Sequence, residues 1–63
     1  MYEIIGTEIE DGMRLIRVGN LHKGIEMVFY ENEVKHIPCP DLNFLLSWNM
    51  WGIKNGVFDQ EEK

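Results

Sequence analysis

The chain has 63 residues, of which 44% are hydrophobic and 27% are charged, and its formal net charge is −5. This composition is typical of one small globular domain rather than of a disordered chain. The negative charge disfavours direct binding of nucleic acid, because attraction to phosphates dominates such affinity.

The same sequence predicts a cytoplasmic protein. It has no apolar run of about 18 residues that would span a membrane. It opens with no leader-like segment, and its single cysteine cannot form a disulfide within the chain, as expected for a reducing compartment.

The first half of the chain predicts an antiparallel meander. Tyr2–Glu10 is rich in β-branched residues and reads as a strand. Asp11 and Gly12 form a strong two-residue hairpin signal, so Met13–Val18 is predicted as the returning strand. Ile25–Tyr30 is predicted as the third strand.

A fourth short strand is predicted over 34–37, after a polar turn at 31–33. Pro38 lacks a backbone N–H and ends it. In the third strand, alternation places Ile25, Met27 and Phe29 on one face, which we assign to the helix that follows.

That helix is predicted over Pro40–Gly52. Asp41 suits the helix N-terminus, and Gly52 suits a left-handed stop. At about 100° per residue the apolar side chains form two sides. The leucine side consists of Leu42, Leu45, Leu46 and Ile53, with Met50 at its edge. The aromatic side consists of Phe44, Trp48 and Trp51.

The sequence does not decide which of the two sides faces the sheet. A helix on one sheet needs an apolar arc of only about 100°, and a chain of this size builds a marginal core. The aromatic side can form the core, with the leucine side partly exposed or covered by Val57 and Phe58. Alternatively, one side binds a second chain, and we predict partner contacts at Phe44, Trp48, Met50 and Trp51, because tryptophan is a favoured interface anchor.

The predicted fold class is therefore α+β: an antiparallel meander of three to four strands followed by one C-terminal helix packed on one face. A single small domain spans residues 1–58. Residues 59–63 are predicted to be a flexible acidic tail.

Residues with catalytic or metal-binding potential are few. His22, His36 and Cys39 offer at most an incomplete zinc set, because structural zinc takes four ligands in recurring pairs. Cys39 with His36 as base has no evident third group to orient it. We therefore predict no catalytic residue, no metal and no cofactor.

The predicted function is a small non-enzymatic interaction or regulatory module that binds a protein partner or itself, with no direct nucleic-acid or membrane binding. The alternative is an acidic inhibitor that mimics nucleic acid against a basic protein. Its acidic surface would comprise Glu3, Glu8, Glu10, Asp11, Glu31 and Glu33. A small metal-binding protein is a further alternative.

Arg14 and Arg17 are expected to pair with the acidic first strand.

Overall fold

The computed structural model describes residues 1–60 of the chain. Three antiparallel strands lie in the order β1 (Tyr2–Glu10), β2 (Met13–Asn20) and β3 (Ile25–Tyr30). The predicted bounds of the first and third strands are confirmed, and β2 is two residues longer than predicted. The first hairpin turns at Asp11 and Gly12, whose φ values of 55° and 79° suit a tight primed turn.

An irregularity in β1 sets which side chains face the helices. Ile4 pairs with Val18, but the register then shifts so that Thr7 pairs with Ile16. In a regular strand Ile4 and Thr7 would lie on opposite faces, because successive side chains alternate. The β-bulge before Gly6 places both on the inner face, where Thr7, Ile16 and Val18 are fully buried.

The fourth short strand is a wrong prediction, because Glu31–His36 form a 3-10 helix. The Tyr30 N–H donates to Glu33 Oε1 at 2.8 Å and caps the start of this helix. A 3-10 helix brings residues three apart onto one side, so Val34 and Ile37 both pack on the core. In a strand these two side chains would have pointed to opposite faces.

The predicted single helix is also corrected, since it consists of α1 (Pro40–Trp48) and α2 (Met50–Lys54). The break lies at Asn49, which has φ −100° and ψ 13°. Its backbone N–H and its side-chain Nδ2 both donate to the carbonyl of Leu45, at 3.2 Å and 2.8 Å. Such local side-chain bonds compete with the regular helix ladder.

Gly52 does not end the helix as predicted, because it lies inside α2. A Cβ at Gly52 would sit 3.0 Å from the ring of Phe58, so the glycine serves close packing. The left-handed position is instead Gly56, with φ 79°, where the chain turns back toward the sheet.

The leucine side of the helices faces the sheet. Leu42, Leu46 and Ile53 are buried and form one cluster with the buried residues Ile16, Val18 and Val34. The expectation that Met27 and Phe29 face the helices is confirmed, because both pack on this cluster. Ile25 is half exposed.

The segment after α2 runs along the free edge of β1. The Thr7 N–H donates to the Phe58 carbonyl, and the Gln60 N–H donates to the Thr7 carbonyl, both at 2.9 Å. Phe58 packs on the core, whereas Val57 is exposed. The tail predicted over 59–63 thus has its first two residues against β1, and residues 61–63 lie outside the described residues.

Asp59 fixes this segment through its side chain. Arg14 donates from Nε to Asp59 Oδ1 at 3.0 Å and from Nη2 to Oδ2 at 2.9 Å, a bidentate geometry. Arg14 also donates to the Lys54 carbonyl at 2.9 Å, and the Thr7 hydroxyl donates to Asp59. Arg14, and then Thr7, lower the pKa of Asp59 to about 2.

Candidate protein-binding surface

Three exposed aromatic side chains lie on the side of α1 and α2 that faces away from the sheet. Phe44, Trp48 and Trp51 are 64%, 77% and 75% exposed, and we refer to them as the aromatic ridge. The rings of Phe44 and Trp48 are stacked, with centroids 5.6 Å apart. An apolar patch of this kind often marks an interaction site.

The position of the ridge follows from the packing of the opposite side. Leu42 and Leu46 occupy the core, and residues two positions from each lie on the far side of a helix. Phe44 and Trp48 must therefore point away from the sheet. Ile53, also buried, orients α2 in the same way and leaves Trp51 outside.

Two asparagines hold the backbone next to the tryptophans. Asn49 follows Trp48 directly and donates to the Leu45 carbonyl, as described above. Asn55 donates from Nδ2 to the Trp51 carbonyl at 2.7 Å. Each of these carbonyls also accepts the backbone N–H of the same asparagine, so the ridge stands on well-bonded backbone.

The fourth predicted contact residue, Met50, lies beside the ridge rather than on it. It is partly buried, packs on the core and lines an open groove of about 500 Å³. The 3-10 helix and the two α-helices form the walls of this groove. The lining residues are Glu31, Asn32, Val34, Lys35, Ser47, Met50 and Lys54.

Asn43 sets the distance between the two walls of the groove. Its Nδ2 donates to the carbonyls of Val34 at 2.9 Å and of Ile37 at 3.3 Å. The Ser47 hydroxyl donates to Asn43 Oδ1 at 3.1 Å. The bonds from Asn43 thus join α1 to the segment that forms the other wall.

Glu31, one of the residues that line the groove, has one carboxylate oxygen without a partner. Glu31 Oε1 is buried and accepts no hydrogen bond from any residue within 1–60. A buried acceptor without a partner costs about 1–3 kcal/mol. Lys35 and Lys54 line the same groove and add positive charge around it.

The predicted acidic residues fall into two groups at opposite edges of the sheet. Glu3, Glu8, Glu10 and Asp11 belong to β1 and its turn, whereas Glu31 and Glu33 follow β3, with β2 between. The expected pairing of Arg17 with the first strand is confirmed by its 3.6 Å contact with Glu8. Arg17 also binds Glu26 at 2.5 Å, while Arg14 pairs with the C-terminal segment instead.

His36 and Cys39 line a second cleft, of about 440 Å³, near the start of α1. The Tyr2 hydroxyl lies 3.6 Å from Cys39 Sγ. The backbone N–H of Leu42, and then the Tyr2 hydroxyl, lower the pKa of the Cys39 thiol. His22 lies apart, in the turn after β2. Within residues 1–60 no three His, Cys, Asp or Glu side chains are grouped to hold a metal.

Comparison with protein-family models, with curated proteins and with solved structures finds no match to this chain. Among residues 1–60, none of the helices has the length and apolar content needed to cross a membrane.

Proposed function

We propose that this chain is a small non-enzymatic interaction module that binds a protein partner through the aromatic ridge. One observation supports this most: the ridge is exposed although the leucine side of the same helices already completes the core. The aromatic rings are therefore not needed to fill the interior of this chain.

The size of the ridge suits a protein interface. Aromatic side chains offer about 150–250 Å² each, so the exposed fractions of the three rings amount to about 300–550 Å². Binding energy at interfaces is concentrated in a few such anchors, with tryptophan among the commonest. Covering two indoles on association gives a driving force that the isolated chain cannot obtain.

The charge distribution indicates which partners are favoured. The net charge of −5 steers association toward a protein surface of complementary, basic character. The alternative of a nucleic-acid mimic is less well supported, because the acidic residues lie at two edges of the sheet and Glu8 is paired with Arg17. A mimic needs one contiguous row of unpaired carboxylates.

Site-specific photo-crosslinking tests the proposal. A photoreactive amino acid at position 48 is expected to capture a protein in the native cell, whereas the same group at position 9 is not. Ile9 is a matched control, because it is also an exposed apolar residue but lies on β1. The captured protein, which can be a second copy of this chain, is then purified. Its binding to the wild-type chain is measured in vitro.

The reconstituted complex must depend on the ridge. We expect Trp48→Ala with Trp51→Ala to raise Kd by 100-fold or more, and Ile9→Ala to leave Kd within threefold. A reconstituted complex with equal Kd for the wild-type chain and the double variant contradicts the proposal. So does a position-48 capture that fails to form any complex from purified components.

A further inference from the structure

We infer that the free edge of β3 binds an extended, basic segment of a protein partner, which adds to the sheet as a further strand. One apolar side chain of this segment enters the second cleft, the one that His36 and Cys39 line. The inference goes beyond the proposed function and does not depend on it, because it concerns the edge of the sheet and not the aromatic ridge.

The hydrogen bonding of Tyr30 shows which main-chain groups of β3 point away from β2. Its N–H donates to Glu33 Oε1 at 2.8 Å, although Tyr30 is opposite Leu15 of β2. In an antiparallel pair, residues that bond the neighbouring strand alternate with residues that do not. Val28 and Glu26, two and four positions before Tyr30, therefore direct their N–H and C=O groups to the free edge.

The free edge of β3 is uncovered in the part of the chain that the structure describes. Glu26 and Val28 are exposed, and no segment within residues 1–60 pairs with this side of β3. An exposed strand edge is a template for pairing with another chain. Its alternating donors and acceptors match an extended main chain, which adds to a sheet by β-augmentation.

The opposite edge of the sheet shows the same chemistry within the chain itself. The Thr7 N–H and C=O of β1 bond to Phe58 and Gln60, and Thr7 forms a parallel bridge with Asp59. The C-terminal segment thus adds to β1 through main-chain hydrogen bonds. At β3 the corresponding position is left for a strand from another molecule.

The second cleft provides a pocket for one side chain of the added strand. Met27 and Phe29 line the cleft from β3, and residues opposite each other on neighbouring strands direct their side chains to the same face. A residue added opposite Met27 or Phe29 therefore directs its side chain toward the cleft. Ile37, Pro38 and Leu42 also line it, so an apolar side chain fits best.

The position of Glu33 selects a basic segment. Its carboxylate lies at the end of the free edge, because it accepts the N–H of Tyr30, which points to that edge. Glu33 forms no ion pair within residues 1–60, whereas Glu26 is paired with Arg17. A lysine or arginine of the added strand can contact Glu33, and the net charge of −5 attracts a basic segment. A second copy of the chain brings negative charge instead.

Selection of peptides on the purified full chain tests the inference. A phage-displayed library of random six-residue peptides, which have the length of β3, is expected to yield binders with a lysine or arginine and an apolar side chain. Fluorescence anisotropy measures the Kd of a synthetic copy. Two N-methylated copies, one for each alternate set of main-chain nitrogens, keep the charge. Methylation of the set that faces β3 should abolish binding, and methylation of the other set should not.

Amide hydrogen exchange locates the peptide on the unmodified chain. The amides of Glu26 and Val28 are expected to exchange about 10-fold or more slowly when the peptide is bound, since opening must then break added hydrogen bonds. The Ile9 amide, on the other edge strand, is the internal control and should keep its rate. Selected peptides that leave Glu26 and Val28 unprotected overturn the inference.

Proline at position 28 tests the edge directly. Val28→Pro removes one donor but keeps the ladder with β2, because proline is tolerated where a strand N–H faces outward. It is expected to raise the Kd of the peptide by about 10-fold or more, because proline on an edge opposes pairing. Ile9→Pro is the matched control, since Ile9 lies two residues after Thr7, whose N–H also points away from β2. It should leave the Kd unchanged. Circular dichroism checks that both variants are folded.

Glu33→Gln tests the choice of a basic segment. It keeps an oxygen that can accept the Tyr30 N–H but removes the negative charge, so the Kd of the peptide should rise and depend less on salt. Equal salt dependence in the variant and the wild type overturns the contact with Glu33.

Two further outcomes overturn the choice of occupant. A library that yields no binder, or only binders without lysine and arginine, contradicts a basic segment. Protection of the Glu26 and Val28 amides that rises with protein concentration, in the absence of peptide, assigns the edge to a second copy of this chain.

Discussion

The two sides of the α1–α2 segment differ in environment although both are apolar. Leu46 is fully buried, while Trp48, two residues later, is 77% exposed. Hydrophobicity alone would rank the tryptophan as equally fit for the core. Apolar content alone therefore does not decide which side is buried: Leu42, Leu46 and Ile53 join the core cluster, while the aromatic side stays exposed.

The largest effect is expected when a side chain on the buried side is truncated. Leu46→Ala is expected to cost about 2–5 kcal/mol of unfolding free energy, because it removes a core side chain and leaves a cavity. A domain of this length is stable by only about 3–9 kcal/mol, so the variant should be largely or partly unfolded. Urea denaturation monitored by circular dichroism measures the loss.

Trp48→Ala is the matched variant on the exposed side. It should cost less than about 1.5 kcal/mol of stability, since it loses only the stacking with Phe44. A loss equal to that of Leu46→Ala would show that the ridge belongs to the core.

The affinity for a partner should depend more on the exposed side than on the buried side. As an interface anchor, Trp48 is expected to contribute about 2 kcal/mol or more to binding, so Trp48→Ala should weaken the complex by roughly 30-fold. Isothermal titration of the purified complex checks this value. Unchanged affinity would mean that the exposed side has no part in recognition.

A smaller effect is expected where the helices are tied to the 3-10 helix. Asn43→Ala removes the donor to the Val34 and Ile37 carbonyls and should cost about 0.5–1.5 kcal/mol, a typical net value for a hydrogen bond. Ser47→Ala is the control, because its exposed hydroxyl contacts only the amide, and should change urea denaturation least. Equal losses would contradict a clamping role for Asn43.

The mildest perturbation is acid. The pKa of Asp59 is lowered from 3.8 to about 2 in the folded chain, so its ionised form stabilises the fold above pH 4. This contribution is lost as the pH falls from about 4 to about 2. Urea midpoints measured across this interval should decrease for the wild type, and Asp59→Asn should lack that part of the decrease.

An equal decrease of the urea midpoint in Asp59→Asn would show that the acid sensitivity arises from other groups. Arg14, which contacts Asp59 through two nitrogens, stays charged throughout this interval. Within this pair, therefore, only the carboxylate titrates in the window.

Local signals were enough to predict the sheet. The Asp11–Gly12 turn and the β-branched runs predicted β1 and β3 because strand pairing here depends on neighbours in sequence. The bulge at Gly6 was missed, although a glycine inside a strand is a known sign of one. The break at Asn49 was also missed; it is slight, because the i→i−4 backbone bonds of Asn49 and Ile53 continue across it.

Contacts between distant residues could not be predicted in the same way. The aromatic and leucine sides have similar apolar content, so only the packing of Leu42, Leu46 and Ile53 against β2 decides which is buried. The groove could not be predicted, because one of its walls is the 3-10 helix that takes the place of the expected fourth strand. The three-residue spacing of Val34 and Ile37 was the signal that could have indicated a 3-10 helix.

Quenching of tryptophan fluorescence by acrylamide measures whether the aromatic ridge becomes covered on binding. Both indoles, which are 77% and 75% exposed, are expected to be readily quenched in the dilute, isolated chain and to become protected in the complex captured from position 48, whether its second member is another copy or a different protein. Indoles already shielded in the dilute monomer, with no further protection on binding, would contradict it.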